Sequence, residues 1–119
     1  MGLDWEQVII DAQDPVALGA WWREALGWVA VDEGPEVYEI RPEPAQIPGL
    51  LFVPVSQGKT VKNRLHLDFR PEHQATEVDR LLSLGASRVD VGQGQQSWVV
   101  LADPEGNEFC VLAPRRSGS

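Results

Sequence analysis

Gln7, His66 and Glu108 are three residues of this chain that, by type and by their places on expected strands, could hold a divalent metal ion. A neutral imidazole nitrogen and a carboxylate oxygen suit zinc, iron, nickel or manganese, and an amide oxygen can complete such a set. Three protein ligands leave positions open for water and a bidentate substrate. A metal held this way acts as a Lewis acid, polarising a substrate oxygen and stabilising an enolate or alkoxide. Glu108 would be a ligand and also a candidate catalytic proton carrier. The plainer reading stands beside this one. A histidine on a strand is more often a hydrogen-bonded polar residue than a ligand. Glu108 follows Gly106-Asn107 and would then only flank a turn, and no local ligand motif of the HExxH or CxxC kind occurs.

Strand alternation is what would bring the three together. In Arg64-Leu65-His66-Leu67-Asp68-Phe69 the apolar set Leu65, Leu67 and Phe69 is expected to pack under a helix, sending His66 and Asp68 to the opposite face. In the first strand Val8, Ile10 and Ala12 form the helix-side set, which leaves Gln7, Ile9 and Asp11 on the other side. In the last strand Phe109, Val111 and Ala113 pack inward, and Glu108 and Cys110 face away.

The elements come in two rounds. Gln7 to Ala12 reads as a strand. Asp14-Pro15 caps and opens a helix whose apolar positions Leu18, Trp21, Trp22, Ala25 and Leu26 recur at helical spacing, and Gly27 ends it. Strands follow at Trp28 to Val31, Val37 to Arg41 and Leu50 to Val55. The second round has a strand from Arg64 to Phe69, a helix opened by Pro71 with the stripe Ala75, Val78, Leu81 and Leu82, and a stop at Gly85. Strands are expected at Ser87 to Val91, Ser97 to Ala102 and Glu108 to Ala113, with Asp103-Pro104-Glu105-Gly106-Asn107 as a turn. The predicted fold class is α+β: two tandem βαβββ modules, about 5–57 and 63–114, forming a curled mixed sheet with a concave cleft away from the helices.

Composition narrows the function classes. At 119 residues the chain is one domain by length. A formal charge of −8 argues against a nucleic-acid partner, since phosphate-backbone binding relies on clustered Lys and Arg. The short basic cluster Lys59, Lys62 and Arg64 reads as a solvated connector. No apolar run is long enough for a membrane span, and the start of the chain lacks a signal-like stretch. Cys110 is the single cysteine, which fits a reducing cytosol and a cytoplasmic location. Five Trp residues serve a core, a pocket or an interface.

Several segments carry a resemblance. They are Asp14-Pro15 with Trp21-Trp22 and Leu26-Gly27, then Lys62-Asn63-Arg64-Leu65-His66-Leu67-Asp68, then Arg80-Leu81 with Leu84-Gly85-Ala86. The last is Asp103-Pro104-Glu105-Gly106-Asn107-Glu108-Phe109. Together they resemble the vicinal oxygen chelate superfamily, and within it the small glyoxalase-like (glyoxalase/bleomycin resistance) proteins, over Gln7 to Pro114. The resemblance implies paired βαβββ modules, often in a homodimer, and in metal-using members a divalent ion held at four strand positions. Carried over, the ligands are Gln7, His66 and Glu108. The fourth position expects a Glu and is best matched by Leu51, within a residue or two of register.

Two function classes lead, beside a third, a structural or regulatory ligand sensor with no chemistry. One is a divalent-metal-dependent lyase, isomerase or dioxygenase acting on a small oxygenated metabolite, with Zn, Ni, Mn or Fe at Gln7, His66 and Glu108. The other is a metal-free binding protein of the bleomycin-resistance type that sequesters a drug or metabolite, for which an acidic protein suits a cationic ligand. A small-molecule partner is expected in both, without nucleic acid or membrane, in a homodimer whose partner covers sheet edges and surplus Trp.

Overall fold

The computed structural model describes residues 2–115. The elements run β1 (Gln7–Ala12), α1 (Pro15–Leu26), β2 (Val29–Asp32), β3 (Tyr38–Arg41), β4 (Gly49–Pro54), β5 (Leu67–Phe69), α2 (Gln74–Leu84), β6 (Ser87–Arg88), β7 (Val99–Ala102) and β8 (Glu108–Val111). The fold is α+β, with βαβββ occurring twice. The chain divides into two compact units between Gly58 and Lys59, one module in each. Each unit has its own four-stranded sheet, ordered β1-β4-β3-β2 in the first and β5-β8-β7-β6 in the second. The first and last strands of a module pair in parallel, β1 with β4 and β5 with β8. The remaining pairs are antiparallel. The stretch from Ser97 to Leu112 contains no helix, as the repeat requires.

Local chemistry accounts for α1 as read from sequence. Asp14 Oδ1 accepts the Ala17 N–H at 3.1 Å, Pro15 takes the first turn, and Gly27 closes the helix in the left-handed region at φ 68°. Leu18, Trp22 and Ala25 are buried, and Trp21 meets Trp22 edge to face at 5.1 Å. A Cβ on Gly19 would lie 2.4 Å from Tyr38 Cδ1, so the helix backbone rests directly on that ring.

The second helix departs from expectation. It begins at Gln74 rather than Pro71, with His73 as a cap residue that makes no side-chain cap bond. Gln74 Nε2 instead donates to Ser97 O at 2.8 Å and to Val111 O at 3.1 Å. That tie to β8 fixes where the helix can start, and Pro71-Glu72 are spent reaching it. Gly85 ends α2 at φ 119° as expected.

The sheet interiors follow the alternation. In module one Val8, Ile10 and Ala12 pair with Leu50, Phe52 and Pro54, and Ala12, Leu50 and Phe52 are buried with Ile40. In module two Leu67 and Phe69 pair with Phe109 and Val111, and the Phe69 and Phe109 rings meet at 6.0 Å and 75°. Leu65 is a correction. It was expected under the helix, but β5 starts only at Leu67 and Leu65 is 88% exposed. The Asn63 N–H is taken by a side-chain carboxylate, Glu108 Oε1, so the chain enters the sheet late. The strand after Gly85 likewise stops at Arg88, and β7 starts at Val99 rather than Ser97. Among the described residues no helix is long and apolar enough to cross a membrane.

Candidate functional site

The polar face of module two grows out of the β5–β8 pairing. Asp68 stands opposite Cys110, and Leu67 opposite Phe109. Paired residues in a parallel ladder point to the same side, and alternation sends their neighbours to the other. One side is the apolar interior. The other carries Asp68 and Cys110, with Glu108 two residues ahead on β8 and His66 two residues ahead of Asp68.

Glu108 is set by the turn that precedes it. Asp103 is buried, and its Oδ1 accepts the N–H groups of Glu105 at 2.9 Å and Asn107 at 3.0 Å. Asn107 Nδ2 donates back to Asp103 Oδ2 at 3.1 Å. Gly106 supplies the left-handed residue at φ 89°, and its N–H reaches Asp103 O at 2.9 Å. Asp103, Gly106 and Asn107 are therefore turn residues, and their work is to fix the first position of β8.

The Glu108 carboxylate is only 7% exposed and both its oxygens are engaged. Oε1 accepts the Asn63 N–H at 2.7 Å, and Oε2 is paired with the Lys59 ammonium. Burial alone would push this carboxyl up. The Lys59 ammonium and the Asn63 N–H outweigh that and hold it below its usual value. Lys59 was expected to be part of a solvated connector, and this is a correction. Its stem approaches Gly106, and its head is the counter-charge of a buried acid. The signal was available in principle, because a carboxylate on a strand in an apolar stretch needs a cation within reach.

His66 is on the same face and exposed. Its Nδ1 lies 3.0 Å from Asp68 Oδ1 and 3.8 Å from Cys110 Sγ. The three donor atoms lie within 4.8 Å of one another. Burial pushes the Cys110 thiol up, and the Asp68 carboxylate adds to that, against a smaller opposite pull from Lys62. Asp68 and Cys110 were placed on the polar face by alternation but not singled out as possible donors.

Module one offers a different face. Gln7 precedes its helix cap Asp14 by the same interval as His66 precedes His73. Its partner on β4 is Gly49, while Leu51 stands opposite Ile9. The module-one counterpart of Glu108 is thus Gly49, and the match to Leu51 is corrected by the register. A Cβ on Gly49 would lie 2.8 Å from Ile40 O and 2.9 Å from Arg41 Cγ, so no side chain fits there. Arg41 covers the spot, pairing through Nε with Glu39 Oε2 at 2.9 Å.

The divalent ion that the resemblance implies therefore meets a poor donor set. Of the expected residues, His66 and Glu108 share a face in module two and Gln7 lies in module one. Glu108 already holds an ammonium and an N–H, and neither Gly49 nor Leu51 supplies a second carboxylate. As they stand, these residues do not fit the family's ion.

Comparison with known proteins places this geometry. The family model described as a glyoxalase-like domain matches residues 7–112. No curated protein matches the chain. Among solved structures, a glyoxalase/bleomycin resistance protein/dioxygenase family enzyme from Burkholderia phytofirmans PsJN is similar at TM-score 0.72 and 18% identity, covering 95% of this chain and 100% of that one. The oxidase ChaP-H2 is similar at TM-score 0.66 and 16% identity, covering 100% and 98%. A bleomycin resistance determinant encoded on the transposon Tn5 is similar at TM-score 0.62 and 14% identity, covering 96% and 100%. At these identities the likeness is one of fold.

Proposed function

The chain belongs to the glyoxalase-like domain family, and from that premise we propose that it is a small-molecule-binding member that works without the family's divalent ion at Glu108, with Lys59 as the built-in counter-ion. The observation that carries this reading is the buried Lys59–Glu108 pair, completed by the Asn63 N–H. A metal entering there would have to expel an ammonium from a carboxylate that has little access to water, and the corresponding position within module one, Gly49, has no room for a ligating side chain. The ligand class we favour is a cationic molecule with an apolar body. The net charge of −8 draws cations, and Asp11, Asp68 and Trp5 are exposed. Assembly as a homodimer is part of the proposal. Exposed Trp5, Val61 and Leu65 supply apolar surface for it, and a monomeric mass in light scattering at micromolar concentration would remove that part.

The experiment compares manganese and nickel binding, by calorimetry, in wild type and Lys59→Met. Wild type is expected to bind neither ion through Glu108, and Lys59→Met to gain an affinity that Glu108→Gln removes again. Aromatic cationic probes should bind wild type equally with and without a chelator. The alternative is the metal-dependent lyase, isomerase or dioxygenase, which needs Gln7, His66 and Glu108 to converge on one ion with Glu108 moving a proton. Manganese or nickel binding by wild type, lost in both Gln7→Ala and Glu108→Gln, would establish that alternative and end the metal-free reading.

A further inference from the structure

We propose that module two carries a soft-cation site made of His66, Asp68 and Cys110, which differs from the ligand set of the family in all but His66. Three observations converge on it. The β5–β8 register places Asp68 directly opposite Cys110, so carboxylate and thiol are held side by side by backbone pairing. His66 comes from the same face, with Nδ1 3.0 Å from Asp68 Oδ1 and 3.8 Å from Cys110 Sγ. All three donors fall within 4.8 Å of one another. Zinc bonds of about 2.0–2.3 Å in a tetrahedron separate ligand atoms by about 3.3–3.7 Å. The two distances from His66 Nδ1 bracket that range.

Donor chemistry selects the ion. Imidazole, thiolate and one carboxylate form a set of mixed softness that favours zinc, cobalt or cadmium over magnesium, calcium or manganese. On binding, the thiol loses its proton to solvent, and the two negative ligands balance a dication. The burial is lopsided. Cys110 is buried, whereas the His66 and Asp68 side chains are 40% and 47% exposed, so the fourth position opens to water or to a ligand atom. Three protein donors with an open fourth position is the pattern of zinc sites that bind or activate a ligand, where purely structural sites are closed. Only His66 is shared with the family's set. Glu108 keeps its bonds to Lys59 and Asn63, so this site stands or falls independently of how Glu108 is used.

The test is a titration of tag-free, metal-free protein with cobalt, read by absorption. Wild type is expected to take up one cobalt and to show thiolate-to-cobalt charge transfer, which zinc then bleaches by displacement. Loss of a hydrogen-bond partner behind a metal ligand costs about 10–100-fold in affinity, so loss of a ligand itself should cost at least about tenfold. Asp68→Asn is the decisive variant because the residue is exposed and its loss does not threaten the core. It should weaken cobalt at least about tenfold, and Cys110→Ser should abolish the charge-transfer band. Gln7→Ala should leave both band and affinity as in wild type. Absence of the band in wild type, or an unchanged affinity in Asp68→Asn, would overturn the proposal. A cobalt spectrum that lacks thiolate character and is lost in Gln7→Ala would overturn it as well and assign the ion to the other set, which also ends the metal-free reading of Glu108.

Discussion

The two modules repeat one topology and fill it differently. Each sheet pairs its first strand in parallel with its last, and each helix stops at a left-handed glycine. On the apolar side they agree in kind though not residue for residue: Leu50 stands where Phe109 does and Phe52 where Val111 does, and all four are buried. On the opposite side they part. Where β8 begins with Glu108, β4 begins with Gly49, and the space a side chain would need is held by Arg41 and Glu39. In module one Arg41 pairs with Glu39 of its own strand and with Glu6 ahead of β1, whereas in module two Lys59 of the entering loop pairs with Glu108 of β8. Packing constrains the apolar side of both modules in the same way, whereas the polar side is free to diverge, and that is where a family changes its chemistry.

The largest effect expected from this comparison is shared. Phe52→Ala and Phe109→Ala should each cost about 4 kcal/mol, measured by urea unfolding, because both rings are closed in by sheet and helix. A difference between them of more than about 2 kcal/mol would break the equivalence of the two cores.

The next effect belongs to module two alone. Lys59→Met leaves Glu108 buried without its counter-ion and should cost about 3 kcal/mol. Adding Glu108→Gln should recover most of that, since a neutral amide still accepts the Asn63 N–H. If the double variant is no better than the single one, the cost of Lys59→Met does not come from leaving the Glu108 charge unpaired.

Acid titration sharpens the same point. In the folded protein Glu108 is held below its usual value, so its stabilisation is fully present above the unfolded carboxyl value of about 4.3. It is lost as the pH falls through the depressed folded value. In Lys59→Met the ammonium is gone and only the N–H bonds stand against burial, so the folded value rises relative to wild type and the variant should lose less stability than wild type as the pH is lowered from about 6 to about 4. Unfolding free energies of the two proteins across that interval check it, and parallel curves would refute the role given to Lys59.

Much of this fold was legible from short-range chemistry. Asp14-Pro15 with Gly27 marked α1 to the residue, and the alternation in Gln7 to Ala12 and in Glu108 to Val111 assigned the buried faces. What escaped was set at long range. Pro71 looked like a helix start, but the Gln74 side chain bonds Val111 and moves the start downstream. Leu65 looked like a strand residue, but the Asn63 N–H is committed to Glu108. The pairing of Lys59 with Glu108 joins residues far apart in the chain, and no local spacing announces it. The partner of Gln7 could be settled only by the β1–β4 register, which the sequence leaves uncertain by a residue or two.

The smallest effect concerns how the two helices begin. In α1 the Asp14 carboxylate accepts the Ala17 N–H, so Asp14→Ala should cost about 1 kcal/mol. In α2 His73 has cap geometry, with φ −132° and ψ 104°, yet its side chain makes no cap bond, so the first turn has N–H groups that a short acceptor could reach. His73→Asp should therefore stabilise the protein by about 0.5–1 kcal/mol, because it adds an acceptor and a negative charge at the positive end of the helix. His73→Asn separates the two contributions, since it keeps the acceptor without the charge. The test is the paired thermal midpoints of the three proteins at low and high salt. A gain for aspartate that vanishes in salt would be the dipole alone, and one that persists and is shared by asparagine is the cap. No gain in either variant would mean that the Gln74 bonds to Ser97 and Val111 already determine the start of α2 so firmly that its cap contributes nothing, and the two modules would then differ in how their helices are anchored as well as in their polar faces.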